Sequence, residues 1–132
     1  MTPTLPDILT GQAVALMTPL PPEAGGDYLA GRMGLLAMLA GLAAQEAERG
    51  LAVRVWENGA IRALLAKAGV DAGEADSDLA WSALDAANAR LRRALIATHE
   101  AAEARSDRAL QTEILDLYRQ MAAARRLVLA AG

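Results

Sequence analysis

Apolar residues recur along this chain at steps of three and four, the spacing that lines one face of a helix, and clusters of Pro and Gly divide the pattern into five helical segments. The first is predicted over 5–17. Thr4 is placed to cap it, Asp7 stands three residues on as the acidic half of a capping box, and Pro6 falls in the first turn, where its missing N–H is harmless. Its apolar stripe reads Leu5, Leu9, Ala13, Leu16. The stretch 18–26, with Pro19, Pro21, Pro22, Gly25 and Gly26, cannot continue a helix and forms a linker.

Asp27 is a good N-cap for a second helix over 27–49, closed by Gly50. Between Leu29 and Ala44 its only charged residue is Arg32, which predicts a helix buried on nearly every side in the middle of a bundle. Ala30, Gly34, Ala37, Gly41 and Ala44 form a row of small residues along it that lets another backbone approach closely. The next segment, 51–68, sends two signals. Val53 to Glu57 alternates and Asn58-Gly59 is a hairpin signal, but Ile61, Leu64, Leu65 and Ala68 keep helical spacing and no second strand follows. The reading is a helix stopped by Gly69.

An acidic loop, 70–77, then leads to a fourth helix over 77–104, capped by Asp76 or Ser77 and striped by Ala80, Leu84, Ala87, Leu91, Ala94 and Thr98. Ser106 and Asp107 start a fifth over 106–130, with the stripe Leu110, Ile114, Leu117, Met121, Ala124, Val128. A short turn between two long stripes makes an antiparallel pair. The expected architecture is all-α: one domain of 132 residues, an up-and-down bundle of about four long helices plus the short N-terminal one.

Composition agrees. Ala (32) and Leu (21) far outnumber Val and Ile, which total 9, and straight-chain residues lose little rotamer freedom in a helix. A net charge of −3 offers no electrostatic case for binding nucleic acid. The absence of cysteine excludes thiolate catalysis, Cys–zinc sites and disulfides. The N-terminus has no basic region of a secretory signal, and the longest uncharged apolar stretch, 33–44, falls short of the roughly 20 residues that a membrane span needs. Twelve Arg against Lys67 alone suggest a GC-rich bacterial genome, so a bacterial cytoplasmic location is the default expectation.

Few residues point to chemistry. His99 and Glu103, four apart on one helix face, could share a metal, but the chain has no Glu-x-x-His motif of the kind that bundle metal sites use. Glu74, Asp76, Asp78 and Asp85 have partial calcium-loop spacing without its glycine and fit better as acidic residues at a helix start. Arg32, in its apolar helix, needs a partner. The favoured one is a carboxylate on another helix; alternatively Arg32 and Tyr28, one turn before it, form a ligand-binding pair for a carboxylate or phosphate. Arg90, Arg92 and Arg93 do not amount to a nucleic-acid surface, and Arg125 and Arg126 suit a helix C-terminus. Trp56 and Trp81 read as anchors between helices, or as interface markers if exposed. No catalytic residue and no cofactor is suggested: nucleophile elbow, phosphate loop and dinucleotide fingerprint are all missing.

Ile8-Leu9, Tyr28-x-x-x-Arg32-Met33, an Ala-rich helix closing with Glu46, Glu48 and Gly50, then Ala63-Leu64-Leu65 and Asp78-Leu79-Ala80, together resemble a family of short uncharacterised helical bacterial proteins. Its members are often encoded beside aminoglycoside-phosphotransferase-like kinases or acyl-CoA dehydrogenases, so the resemblance implies an accessory role to a neighbouring enzyme and no activity to transfer. With 54% apolar residues and sustained heptads, the expectation is a protein–protein interaction or accessory module that self-associates as a homodimer or other homo-oligomer. The alternative is a small-molecule or metal-binding bundle with its site at Tyr28 and Arg32 or at His99 and Glu103.

Overall fold

The computed structural model describes residues 3–129, and every regular element among them is a helix: α1 (Leu5–Met17), α2 (Gly26–Lys67), α3 (Trp81–Ala104) and α4 (Arg108–Ala124). None is long and apolar enough to cross a membrane. The chain divides into two compact units. One takes the residues up to Gly50 together with those from Leu127 on, and the other takes Leu51–Arg126. The first boundary lies inside α2.

That helix is a correction to the expected break at Gly50. The separate helices over 27–49 and 51–68 are one, because Gly50 keeps a helical backbone and is buried. An interior glycine costs only about 1 kcal/mol, which the flanking helix formers offset. The real stop is Gly69. With φ +77 it lets Val70 N donate to Leu65 O at 2.9 Å and Gly69 N to Ala66 O at 3.0 Å, a Schellman cap.

In the first unit α1 has the expected bounds and the expected capping box, with Thr4 N donating to Asp7 Oδ2 at 3.0 Å and Asp7 N to Thr4 Oγ1 at 3.4 Å. Its buried face is one residue away from the expected stripe. Ile8 is buried and Leu5, Gln12 and Ala15 are half-buried, while Leu9, Ala13 and Leu16 face solvent. Gln12 holds this rotation by donating to Leu36 O at 3.2 Å. The first part of α2 is also not enclosed as its apolar sequence suggests. Leu36 and Ala43 are buried, whereas Leu29, Met33, Leu35 and Met38 are 42–59% exposed.

The second unit holds the main core. Ile61 and Leu65 of α2, Leu91, Leu95 and Ala102 of α3, and Leu110, Ile114, Leu117 and Met121 of α4 form one buried cluster. α3 starts at Trp81, not at 77, because Asp76 is drawn away to other partners and Asp78 Oδ1 accepts from Ala80 N instead. Its buried stripe is Leu84, Asn88, Leu91, Leu95, Thr98 and Ala102, so the expected Ala87 and Ala94 give way to their neighbours Asn88 and Leu95. α4 ends at Ala124 rather than running to 130, and Val128 is exposed; residues 130–132 lie outside the described ones.

Arg105 to Asp107 join α3 and α4 as an antiparallel hairpin. Ser106 sits at φ +57, Asp107 N donates to Ala102 O at 2.9 Å, and the Asp107 side chain caps α4 through Leu110 N. This is a Schellman turn with serine where glycine is the usual residue. Ser106→Gly is therefore expected to stabilise the second unit by about 0.5–1 kcal/mol in urea unfolding, since the left-handed conformation is free of steric cost only for glycine.

Candidate functional site

The polar residues that the sequence reading did not single out are the ones most deeply buried. Continuing the Ile61 and Leu65 stripe of α2 backwards by helical steps reaches Asn58, Glu57 and Arg54, with exposures of 0%, 0% and 4%. The Glu57 carboxylate receives a two-pronged grip from Arg125, whose Nε and Nη2 donate to its two oxygens at 2.7 and 2.5 Å. Asn88 of α3 donates to Glu57 Oε1 at 2.8 Å and to Asn58 Oδ1 at 2.9 Å, and Arg125 Nη2 also donates to Asn88 Oδ1 at 2.9 Å. Arg92 Nη1 stands 3.8 Å from Glu57. Burial pushes the Glu57 carboxyl up, but the hydrogen bonds from Arg125 and Asn88 and the charges of Arg125 and Arg92 outweigh it. The group is held below its ordinary value of 4.5.

Two more ion pairs extend the network. Asn58 Nδ2 and Arg62 Nη2 donate to Asp76 at 3.0 and 2.9 Å, which overcomes the effect of burial and holds that carboxyl below its ordinary value as well. Arg54 Nε donates to Asp85 Oδ1 at 2.9 Å while its guanidinium lies 6.0 Å from the Trp81 ring centre. Asp76 is thus not a helix cap: it and Asp85 are both committed to arginines. Arg125 does not simply complement a helix end; it is a core residue. Trp81 is half-buried as expected of an anchor, and Trp56 is 41% exposed.

His99 and Glu103 do meet, Nε2 to Oε1 at 3.5 Å, and the His99 ring lies 5.8 Å from that of Tyr118. Among the described residues no group of three or more His, Cys, Asp or Glu side chains could hold a metal. Glu113 is taken by Lys67 at 2.7 Å.

Tyr28 and Arg32 share a groove in the first unit, about 480 Å³ in volume and lined by Ala15, Thr18, Asp27, Tyr28, Gly31, Arg32 and Leu35. Arg32 differs from expectation in its partner. Its Nη2 donates at 2.7 Å to the backbone oxygen of Thr18, the residue that ends α1, and so satisfies the negative end of that helix instead of a carboxylate. Along the same helix Gly31, Gly34 and Gly41 have open space where a Cβ would project, with nothing within 4 Å. The row of small residues is present and exposed, but no backbone packs into it among the described residues.

No family model matches this chain, and no curated protein or solved structure matches it either. The likeness to the short bacterial family stays a likeness, and the site residues rest on their own geometry.

Removing either half of the Glu57–Arg125 pair leaves the other buried without its main partner. Glu57→Met and Arg125→Met are each expected to cost about 3–5 kcal/mol in urea unfolding, with the double variant costing clearly less than the sum. The pH dependence follows from the depressed carboxyls. Their contribution is complete above the unfolded values of 4.5 and 3.8 and is lost as pH falls through the lower folded values. A melting temperature followed downward from pH 7 should fall below about pH 4.5, and Glu57→Gln should flatten that fall.

Proposed function

We propose that the chain is a self-associating interaction module, and that a second copy packs on the outward face of α2 in the first unit. The observation that carries this reading is the character of that face. From Leu29 to Ala44 the one charge is Arg32, and Arg32 is turned to the end of α1. What remains outward is Ala30, Gly34, Ala37, Gly41 and Ala44, with the exposed Met33 and Met38 beside them. An exposed apolar surface of this extent on a soluble chain is a mark of an interface. A second copy is the fitting occupant because each copy offers the same uncharged face, so a two-fold pairing opposes no charge to an apolar surface. Small residues let the two helices approach closely, with methionines to fill the irregular gaps. An accessory role beside an enzyme would use the same surface for a different chain.

Open space at Gly34 and Gly41 makes the reading testable without harming the fold. Gly34→Glu and Gly41→Glu are expected to leave the melting temperature equal or raised, because glutamate is a better helix former and meets nothing. Sedimentation velocity should show the wild-type mass rising with concentration and both variants staying monomeric. A wild-type chain that is monomeric throughout the micromolar range overturns the proposal.

The Tyr28 and Arg32 groove favours a second reading, a site for a small carboxylate with an apolar body. Arg32 supplies the cation, and Ala15 and Leu35 supply apolar wall. Short- and medium-chain monocarboxylates should then raise the melting temperature, and Gly31→Leu, which projects into the groove, should abolish the rise. No rise in the wild-type chain sinks this reading.

A further inference from the structure

Gln45 of α2 holds residue 128 by both of its backbone groups. The Gln45 side-chain Nε2 donates to Val128 O at 2.7 Å, and Val128 N donates to Gln45 Oε1 at 2.8 Å. A primary amide and a peptide group are the same functional group, so the pair reproduces one rung of a strand ladder with a helix side chain as one of the strands. Recognition of this kind reads an extended backbone and is indifferent to the side chain it carries. Val128 and Leu129 accordingly remain 61% and 60% exposed. Gln45 Nε2 also lies 3.5 Å from Gly41 O, one turn earlier, so the amide stands at the end of the row of small residues. The segment is available to it because α4 stops at Ala124, and residues from Leu127 on belong to the first unit.

We propose that the Gln45 end of the outward α2 face is a docking site for an extended peptide segment, and that residues 127–129 of the same chain fill it as a strap that a second copy must displace. The occupant is identified by its being seated there with both hydrogen bonds made. The competition rests on the self-association reading given above: the strap is held at Gln45, one turn beyond Gly41 and so at the end of the face on which two helices would pack. Two amide hydrogen bonds are enough to shift an association constant tenfold or more.

Two variants of the full chain test this. Gln45→Ala removes both bonds and favours helix; Val128→Pro removes only the N–H and keeps the length of the segment. Trypsin cleavage after Arg126 reports whether the strap is held, and sedimentation velocity across concentrations reports association. Both variants are expected to be cut several-fold faster than wild type and to dimerise at least tenfold more tightly. Unchanged cleavage overturns the strap. Faster cleavage with an unchanged dimer constant overturns the competition, and a weakened dimer shows instead that the segment is exchanged between copies. If wild type and both variants are all monomeric, the self-association reading fails and the competition with it, while the cleavage rates still decide whether Gln45 holds the segment.

Discussion

A carboxylate cut off from water has to be answered in charge and in hydrogen bonds, and Glu57 sets that requirement for everything packed around it in the second unit. The answer comes from three directions: Arg125 just past the end of α4, Asn88 from the middle of α3, and Arg92 one turn further along α3. Two helices are therefore committed to α2 by polar contacts as well as by the cluster of leucines and isoleucines. The cost of burying the charge is offset only while all of these partners are in place. The early end of α4 belongs to the same constraint, since the residue that closes the helix is the one whose side chain reaches Glu57.

The first unit is organised differently. Its interior is thin: Ile8, Leu36 and Ala43 are its buried apolar side chains among the described residues, and polar links do much of the positioning. Gln12 reaches the backbone of Leu36, Arg32 reaches the end of α1, and Gln45 reaches Val128. Arg32 and Gln45 satisfy main-chain groups that a helix end and a loop leave open, while Gln12 adds a donor to a carbonyl inside α2. The apolar residues this unit possesses are spent mostly on its outside. That imbalance is the physical ground for reading it as a surface awaiting a partner, in contrast to the closed core around Leu91 and Ile114.

Much of the helical content was legible because it depends on local chemistry. Thr4 with Asp7, Gly69 and Asp107 mark their helix ends through hydrogen bonds that span only a few residues, and the stripe from Leu110 to Met121 contains no polar interruption. The errors fall where a polar residue occupies a core position. Asn88 shifted the apparent stripe of α3 onto Ala87, whereas the hairpin signal around Glu57 and Asn58 was rightly overridden by the helical spacing of Ile61, Leu64 and Leu65. Asp76 looked like a cap because its partner, Arg62, lies fourteen residues away across a loop. Gly50 was read as a stop although its meaning depends on burial, which no local pattern encodes. Arg32 drew attention as the lone charge in an apolar run, yet the arginine with the decisive buried partner was Arg125, in a stretch whose composition resembles an ordinary helix end. Tyr28 and Arg32, one turn apart in the sequence, line the same groove, as helical spacing predicts.

The apolar stripe of α3 repeats every seven residues, Leu84 to Leu91 to Thr98 and Asn88 to Leu95 to Ala102, and a repeat of that kind cannot tell one alignment from the next. Sliding the helix by one heptad would still bury leucines against leucines. It would also bring Leu95 or Trp81 to the place of Asn88; leucine has no polar group and tryptophan one N–H and no acceptor, so neither could serve Glu57, Asn58 and Arg125 together as Asn88 does. The single asparagine thus works as a registration mark, converting an interface that is periodic, and so degenerate, into one with a single allowed alignment. Uniqueness of the packed state then has a different origin from its strength, since the leucines hold the helices together and Asn88 specifies where along their length they meet.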